Sequence, residues 1–491
     1  LHYFDWARLW LDDAFQNKVW NNESNLLQFL LDDWISKNEP GIGDGWHSYT
    51  LSLRIRNWIY LFKACPKLVT YKRLNSLWMQ VCWLNTHQEN CYGGNHLLEN
   101  ISTLIIASFH FENKYTENIL KKSLIKLKKE LKSQILEDGG HFERSAAYHF
   151  LILDRLIETS FFIRSNFGNI PSWLFTKIEK MINWAQLVIL ENNSLPRFND
   201  SPGDLCGNPQ EIIDFGLNLL GKKEFKGYGV RANISKLVNF ENISKDISFR
   251  ESRLLALEDT GWTIIRPVEG IEILFKCGIP CPNYLPAHVH SDLLSFDIYK
   301  NGQPLIAEVG TSTYDQIQNR SFERSSSAHN VLQLGIPKYK SNDSKLWIEP
   351  VEIWGKFRAA KKALPLFRDC GILENGNIWV KGSHSGFKRF GAIHERYLEV
   401  SKLNDQFYLF IVDKIETKRR LLYKKWWHLG PNYEDKLLHC LIKQINRDYK
   451  YDIYETYISK GFGKKIKRKT LCISGILIPG IHTLSTKIPI N

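Results

Sequence analysis

The hydrophobic periodicity of this chain changes once, close to residue 245. Before that point, six segments carry apolar residues at three- and four-residue spacing, the spacing of amphipathic helices. These segments are residues 74–85, 97–111, 116–136, 145–164, 172–190 and 212–220. Short polar or Gly/Pro loops separate them, and no strand-like segment lies between them. The first half therefore predicts helical hairpins that curl into a toroid or bundle.

Beyond residue 245, seven segments are rich in β-branched and aromatic residues and read as strands. They are residues 262–266, 271–276, 293–299, 331–334, 397–400, 406–412 and 421–427. Strand runs that follow helix runs predict an α+β chain, with an α/α toroid over residues 1–245 and an antiparallel β-sandwich over residues 246–491. Residues 228–246 are the predicted linker. The Lys/Ile-rich C-terminal segment predicts further edge strands, and its basic run at 464–469 predicts a solvated strand face.

The amino-acid composition of the chain limits the kinds of molecule that it can be expected to bind. The 491 residues carry a formal net charge of +13, which favours a polyanion. The charge alone does not distinguish a nucleic acid from an acidic polysaccharide, but no nucleic-acid-binding motif occurs, and we expect no nucleic-acid partner. The 16 Trp and 20 Tyr suit either a carbohydrate cleft or the cores of helices. Nine scattered cysteines without a CxxC pair argue against a disulfide framework, and no apolar run is long enough to span a membrane.

A divalent-metal site is predicted in the second half. Strand-like residues and the turn pair Asn301-Gly302 lie between His290 and Glu308, so these two side chains can face each other across a hairpin. His329 precedes a further apolar run. Two imidazoles and a carboxylate on a rigid sheet suit a divalent ion, with zinc as the first choice. The alternative is three ordinary polar residues at strand ends.

Two motifs in the helical half carry polar side chains into helix starts. In the first, Gly93-Gly94 ends a loop, and Asn95 or His96 caps a helix on which His96 and Glu99 share a face. The second motif runs from Asp138 to Tyr148, where Arg144 and Tyr148 are predicted on one helix face. A capped helix and a polar loop with no chemical role explain each motif equally well. The same holds for Trp46, which suits either a cleft wall or helix packing.

Taken in order, five motifs resemble those of the heparinase II/III family of polysaccharide lyases, which has relatives that act on alginate. They are residues 94–100, 138–148, 199–200, 288–296 and 324–330. Each motif is weak alone, but five in the right order are specific. The resemblance implies a toroid followed by a β-sandwich, which agrees with the change of period.

The resemblance also implies roles for individual residues. Lyases of this family remove the C5 proton of a uronic acid and expel the C4 oxygen by β-elimination. Asn95 and His96 take the positions that neutralise the sugar carboxylate. Tyr148 takes that of the acid, and in some members also of the base, and His288 takes that of the base on the opposite face of the sugar. These four catalytic residues are expected to line one cleft between the two domains.

Further positions follow from the resemblance and from charge. The expected substrate-binding residues are Trp46, Glu99, Arg144, Asn199, Arg320 and Arg324. Arg144 is also the candidate cation that would lower the pKa of Tyr148. The metal-ligand positions fall on His290, Glu308 and His329, although family members usually carry aspartate where this chain has Glu308. A metal there would orient the loop that bears His288 rather than contact the sugar.

Two further classes of function remain open. A uronyl C5-epimerase would use the same proton abstraction and then reprotonate C5. A non-catalytic acidic-glycan-binding protein of a polysaccharide synthesis or export pathway could use the same scaffold. A glycoside hydrolase is disfavoured because the matched residues include no carboxylate pair. For localisation we expect the periplasm, the cell envelope or secretion. Because the chain starts without methionine inside structured sequence, we expect an N-terminal piece to precede it.

Overall fold

The computed structural model describes residues 2–7, 23–91, 93–227, 229–235, 253–315, 317–337, 346–445 and 449–490. The chain divides into two compact units, each described by itself below. The first, here called the helical unit, comprises Leu1–Ile135, Phe150–Ile182 and Gln210–Ile247. The second, here called the β unit, comprises Leu136–His149, Asn183–Pro209 and Ser248–Asn491. In the predicted linker, residues 229–235 form a short helix; the rest of it, with the predicted boundary at 245, lies outside the described residues.

Nine α-helices that the structure describes from end to end precede the first strand, and the described residues 5–7 are also helical. They are α1 Glu23–Lys37, α2 Ser48–Ala64, α3 Tyr71–Thr86, α4 Gly94–Ser108, α5 Lys114–Gln134, α6 Ala146–Phe167, α7 Ser172–Val188, α8 Pro209–Leu219 and α9 Gly229–Ser235. All six predicted helices are present, with shifted ends. The periodicity did not identify α2 because that helix is buried almost all round, including Arg54, Arg56 and Asn57.

Local sequence sets the starts of these helices. Asn113 and Thr116 form a capping box that begins α5, and the Thr70 side chain accepts from the Arg73 N–H to begin α3. The start of α4 differs, because Gly93 and Gly94 have φ angles of 64° and 63°, a region that favours glycine. This tight turn puts the two following residues, 95 and 96, in the first turn of α4.

The β unit contains three five-stranded antiparallel sheets. Their strands are β1 Leu254–Leu257, β2 Trp262–Ile265, β3 Ile271–Lys276, β4 Phe296–Lys300, β5 Gln303–Ile306, β6 Leu332–Ile336, β7 Leu346–Trp347, β8 Val351–Trp354, β9 Arg358–Lys362, β10 Pro365–Ile372, β11 Ile378–His384, β12 Ala392–Leu403, β13 Gln406–Thr417, β14 Leu421–His428, β15 Lys450–Gly461, β16 Lys464–Leu477 and β17 Gly480–Pro489. The sheet orders are β1-β2-β3-β4-β5, β10-β11-β12-β13-β17 and β15-β16-β14-β6-β7, with β8-β9 a separate ribbon. Two helices, α10 Ile317–Arg324 and α11 Glu434–Lys443, complete the unit. The predicted order of helices and then antiparallel strands is confirmed.

One apolar core joins the three sheets. Phe275 on β3, Leu398 on β12 and Trp427 on β14 all belong to it and are fully buried. Along β12, buried positions alternate with more exposed ones, so every second side chain enters this core. The sheets therefore form a rigid frame for the loops at their strand ends.

The predicted hairpin is present between β4 and β5. Asn301 and Gly302 have φ angles of 50° and 68°, as a two-residue type I′ turn requires, and Lys300 pairs with Gln303. The prediction of edge strands for the C-terminal segment is wrong for β16, which lies between β14 and β15. Within the basic run, Lys464, Lys465 and Lys467 are exposed as predicted, whereas Arg468 is buried.

Candidate functional site

A fully buried carboxylate, Asp200, is the centre of a polar site in the β unit. Its Oδ2 lies 2.9 Å from His288 Nδ1, and its Oδ1 lies 2.8 Å from His290 Nε2. Arg320 donates to both oxygens, and the Thr311 hydroxyl donates to Oδ1 at 3.2 Å. Burial by itself would raise the pKa of Asp200. Arg320 and the two histidines lower that pKa by a larger amount, so it is well below the usual range.

The ionised state of Asp200 fixes the protons on both histidines. A carboxylate can only accept hydrogen bonds, so the facing nitrogens, His288 Nδ1 and His290 Nε2, must carry hydrogens. The opposite nitrogens, His288 Nε2 and His290 Nδ1, then have free lone pairs when the rings are neutral. The Nε2 atom of His288 also lies 3.3 Å from Glu143 Oε2. One carboxylate thus orients two imidazoles in opposite directions.

Tyr148 lies against His288. Their ring centroids are 3.9 Å apart, and the Tyr148 hydroxyl is 3.0 Å from the hydroxyl of Tyr314. Burial raises the pKa of Tyr148 well above its usual value, and Tyr314, Asp200 and Glu143 raise it further. The phenol is therefore kept protonated, which suits an acid rather than a base.

The predicted relation between Arg144 and Tyr148 is wrong. Helix α6 begins at Ala146, and Arg144 precedes it with a φ of 54°, so the two residues do not share a helix face. The Arg144 guanidinium donates to the carbonyls of Phe142 at 2.8 Å and Asp259 at 3.2 Å. Arg144 therefore holds backbone in place and is not among the groups that shift the pKa of Tyr148.

A second cluster adjoins Asp200 through His290. His290, Asp292 and His329 each offer a donor atom, and these atoms all lie within 4.8 Å of one another. All three residues are buried. This group can hold a metal ion. Asp292 was not among the predicted ligands; it lies two residues after His290, and the sequence offered no strand pattern that would place it on the same side.

The buried polar atoms of this cluster fit a metal. His290 Nδ1, both His329 nitrogens and both Glu308 oxygens are buried and have no hydrogen-bond partner among the described residues. Leaving such an atom unsatisfied costs about 1–3 kcal/mol, and His290 Nδ1, His329 Nε2 and Glu308 Oε1 are the three that do not face another atom of the set, which favours a bound ion. Glu308 Oε2 lies 3.1 Å from His329 Nδ1. Burial raises the pKa of Glu308 to about 7 and lowers that of His290 to about 3.

Lys276 also contacts the cluster. Its ammonium group lies 2.6 Å and 2.5 Å from the two Asp292 oxygens and 2.6 Å from Asn199 Oδ1. Burial by itself would raise the pKa of Asp292. Lys276 and the histidines lower that pKa by a larger amount, so the carboxyl is ionised. Asn199 also donates to the carbonyls of Arg144 and Glu143, so it is a buried connector and not a surface group for substrate.

The two predicted substrate arginines have other partners. Arg320 forms a two-pronged ion pair with Asp200. Arg324 donates only to backbone carbonyls, among them that of Val289 at 2.9 Å and that of Lys356 at 2.7 Å. Because Val289 lies between His288 and His290, Arg324 fixes the segment that carries both histidines. Both guanidinium groups are buried, so neither offers a free charge to substrate.

In the helical unit, His96 stands in the first turn of α4 and is 42% exposed. Its Nδ1 lies 2.8 Å from Glu89 Oε1, and its ring stacks on Tyr49 with centroids 4.2 Å apart. Asn95 lies beside it and is buried. His96 and Glu99 both lie on α4, three residues apart as predicted, but the ring of His96 pairs with Glu89. His96 and Asn95 belong to the helical unit, whereas Tyr148 and His288 belong to the β unit, so their common cleft stays a prediction.

Glu99 belongs to a buried ion-pair cluster. Its carboxylate contacts Arg56 and lies 2.7 Å from Arg155 Nε, and Glu158 contacts the same two arginines. Two carboxylates and two guanidinium groups therefore neutralise one another inside the helices. The predicted contact of Glu99 with substrate is not supported, since its side chain is only 2% exposed.

Trp46 is also an interior residue. It is 5% exposed and packs against Trp34 and Trp83, with centroids 6.4 Å and 5.7 Å away. Of its two sequence interpretations, helix packing is the one that the structure supports.

Sequence reasoning missed three groups: Asp200, Tyr314 and Asp292. Asp200 belongs to the motif Asn199-Asp200, but the sequence of a short polar loop does not indicate that its side chains are buried. Tyr314 lies in an irregular segment with no period at all. Their roles depend on contacts with residues far away in the chain, which spacing cannot reveal.

Comparisons with known proteins agree with this architecture. The family model described as "Heparinase II/III N-terminus" matches residues 12–205, and that described as "Heparinase II/III-like, C-terminal" matches residues 250–462. A heparin-sulfate lyase of Bacteroides stercoris is 24% identical over 269 residues, which are 52% of this chain and 38% of that protein. The matched region thus spans well under half of that relative.

Solved structures share the fold. A crystal structure of heparinase III superposes with a TM-score of 0.75 at 16% identity, covering 100% of this chain and 77% of that one. The heparan sulfate lyase HepC from Pedobacter heparinus gives a TM-score of 0.64 at 17% identity, covering 100% and 76%. Together the two family models account for most of the sequence.

Proposed function

Since this chain belongs to the heparinase II/III family, we propose that it is a polysaccharide lyase. Its substrate would be an acidic polysaccharide, cleaved next to a uronic acid by β-elimination. The net charge of +13 supports a polyanionic substrate. A related protein described as a heparin-sulfate lyase supports a glycosaminoglycan.

β-Elimination sets three chemical requirements. The C5 proton is weakly acidic while the neighbouring carboxylate keeps its charge, so that charge must be neutralised or hydrogen-bonded. A base must take the proton from C5, and an acid must protonate the departing C4 oxygen. Side chains of this chain can meet each of the three requirements.

The contact between Tyr148 and His288 is the observation that carries the proposal. Burial keeps the pKa of Tyr148 well above its usual value, so its hydroxyl has a proton to give to the leaving oxygen. His288 has its Nδ1 hydrogen held by Asp200, which leaves Nε2 to take the C5 proton. Glu143 Oε2 lies 3.3 Å from this nitrogen. With ring centroids 3.9 Å apart, no sugar ring fits between the acid and the base, so they would act from the same side of the sugar and not from opposite faces as the sequence resemblance implied.

Asn95 and His96 are the proposed neutralisers of the sugar carboxylate. They stand at the N-terminus of α4, where backbone N–H groups and the helix dipole favour an anion. His96 is partly exposed and can present its ring to a ligand. The proposal requires that these two residues reach the same sugar as Tyr148 and His288.

The proposed metal is zinc, held by His290 and His329 with a carboxylate from Asp292 or Glu308. Two imidazoles and a carboxylate are ligands that zinc accepts. When bound, the ion would supply positive charge that fixes the His290 ring and the loop before it. The catalytic groups named above act on the sugar themselves.

A product assay tests the proposed reaction. The purified chain is offered heparan sulfate, heparin, hyaluronan, alginate and capsular uronate polymers, and the absorbance near about 232 nm, where an unsaturated uronate absorbs, is followed. A rise with one polymer supports the lyase. No rise on any polymer, with solvent deuterium entering C5, identifies a C5-epimerase, and binding without either signal identifies a glycan-binding protein.

We also propose that the protein works in the periplasm, at the cell envelope or after secretion, where acidic polysaccharides are met as polymers. Fractionation of the native cells with detection by antibody tests this. Recovery of the protein only with the cytosolic fraction would contradict it.

A further inference from the structure

We propose that Asp200 is a positioning residue that couples the metal cluster to the base His288. It would do so by holding the two histidines in fixed and opposite tautomers. The part of this inference that concerns metal binding by His290, here called the metal half, is argued from geometry alone. The part that concerns His288 as a base rests on the proposed lyase function. Asp200 is fully buried and contacts His290 at Nε2, not at the nitrogen proposed to bind the metal. It would therefore act through the two histidines and not touch the metal or the sugar itself.

Each oxygen of the Asp200 carboxylate contacts a different histidine. Oδ2 holds His288 at 2.9 Å, and Oδ1 holds His290 at 2.8 Å. Arg320 bonds to both oxygens and so keeps the carboxylate from rotating away from either ring. Residue 200 has its own backbone fixed as well, because its N–H donates to the His288 carbonyl at 3.1 Å.

The second step concerns His290. Its Nε2 hydrogen is held by Asp200, so Nδ1 is its available donor for a metal. That atom is buried and has no hydrogen-bond partner in the described part of the chain. A carboxylate behind a ligand histidine fixes the ring and makes it a better donor, and loss of such a carboxylate typically weakens metal binding by about 10–100-fold.

The third step concerns His288. An amide in place of Asp200 has one acceptor oxygen and one donor nitrogen, so it cannot accept from both rings. Either His290 loses its acceptor, or His288 must switch its hydrogen to Nε2, the nitrogen that has to be bare. Asp200→Asn therefore disturbs the metal, the base or both, although it changes few atoms.

The test measures metal affinity separately from activity. The full chain is stripped with a chelator and titrated with Co²⁺, whose visible absorption reports coordination by nitrogen and oxygen ligands. We expect Asp200→Asn to weaken Co²⁺ binding by about 10–100-fold. The matched control is Asp154→Asn, because Asp154 is also buried and also forms a two-pronged pair with an arginine, Arg231. That control should bind Co²⁺ like the wild type.

Two results would overturn the inference. One is wild-type Co²⁺ affinity together with an unchanged tautomer of His288 in a folded Asp200→Asn protein. The other is an equal loss of affinity in both variants, which would indicate a general effect of removing a buried charge. If no polymer is cleaved by the wild type, the proposed function fails while the Co²⁺ comparison still decides the metal half.

A measurement on the wild type covers the case in which Asp200→Asn does not fold. Nitrogen-15 NMR of labelled imidazoles shows which ring nitrogen carries the hydrogen. With assignment by single His→Gln variants, His288 should be protonated at Nδ1 and His290 at Nε2. The reverse tautomer in either ring would overturn the inference.

Discussion

Glu99 in the helical unit and Asp200 in the β unit are both buried carboxylates surrounded by cationic side chains, but the cations differ. Glu99 shares two arginines with Glu158, so two negative charges face two fixed positive ones. Asp200 has one arginine and two histidines. Guanidinium groups stay charged at any ordinary pH, whereas imidazoles gain and lose protons near neutrality.

This difference separates an ion-pair cluster that holds helices from one that can do chemistry. In the Glu99 cluster every cationic partner is a guanidinium group, which only donates hydrogen bonds. In the Asp200 cluster the second nitrogen of each histidine is turned away from Asp200: His288 Nε2 faces Glu143, and His290 Nδ1 lies in the metal cluster. Burial of a charged group is therefore not by itself a sign of function; an imidazole partner can bind a proton or a metal at its second nitrogen, and a guanidinium group cannot.

The largest expected effect is on the Glu99 cluster. Glu99→Gln leaves two buried guanidinium groups with one carboxylate, and breaking a buried pair costs about 3–5 kcal/mol. Urea denaturation should show this loss in the free energy of unfolding, with Co²⁺ affinity unchanged. Glu455→Gln, which removes a 70% exposed partner of Lys467, is the control and should leave the midpoint in place. A loss of metal binding in Glu99→Gln would erase the distinction between the two clusters.

Tyr148→Phe tests the Asp200 side of the comparison. The ring still packs on His288, but no hydroxyl remains to protonate the leaving oxygen. We expect kcat to fall by at least ~10²-fold, equivalent to about 2.7 kcal/mol, with KM changed only a few-fold. Steady-state rates on a verified polymer measure this. Tyr454→Phe, at a 40% exposed strand position, should be as active as the wild type. Near-normal turnover of Tyr148→Phe would remove the phenol from the mechanism.

The two clusters should also differ in acid sensitivity. Burial lowers the pKa of His290 to about 3, so the unfolded chain binds a proton below about 6.5 that the folded protein does not. Stability is therefore lost as the pH falls from about 6.5 towards 3, with a slope of at most about 1.4 kcal/mol per pH unit.

His290→Gln should remove this contribution. Between pH 6.5 and 5, the metal-free variant should lose about 1–2 kcal/mol less stability than the wild type, as read from urea midpoints at both pH values. Glu99→Gln should keep the wild-type slope, since no imidazole faces Glu99. Equal slopes in wild type and His290→Gln would show that the buried histidine is not neutral.

The smallest effect is expected at Trp46. Trp46→Phe keeps an aromatic ring among Trp34 and Trp83 but leaves a small gap, at a cost of about 1 kcal/mol. The thermal midpoint should fall slightly, and KM for the polymer should stay within twofold. A several-fold rise in KM would restore Trp46 as a contact for sugar and weaken the view that its region only packs.

Chain order and periodicity determined much of this protein by themselves. Six helices, the strands, the Asn301-Gly302 hairpin and the five motifs could be identified because each depends on residues near one another in sequence. No helix in the described residues has the length and apolarity needed to cross a membrane, in line with the absence of a long apolar run. Helix α2 could not be identified because a helix buried on all sides has no polar face to mark its period.

Only the tertiary structure decided which polar residues are buried and which groups they contact. Arg144, Arg324 and Asn199 were expected at substrate, but they bond to backbone or to other buried groups. Asp200 and Asp292 were not selected, yet they lie within hydrogen-bond or ligand distance of the predicted histidines. The physical reason is that a charge on a side chain is local, whereas its burial and its partners come from distant segments: His288 is 88 positions from Asp200, and Glu143 is 56 positions from Asn199.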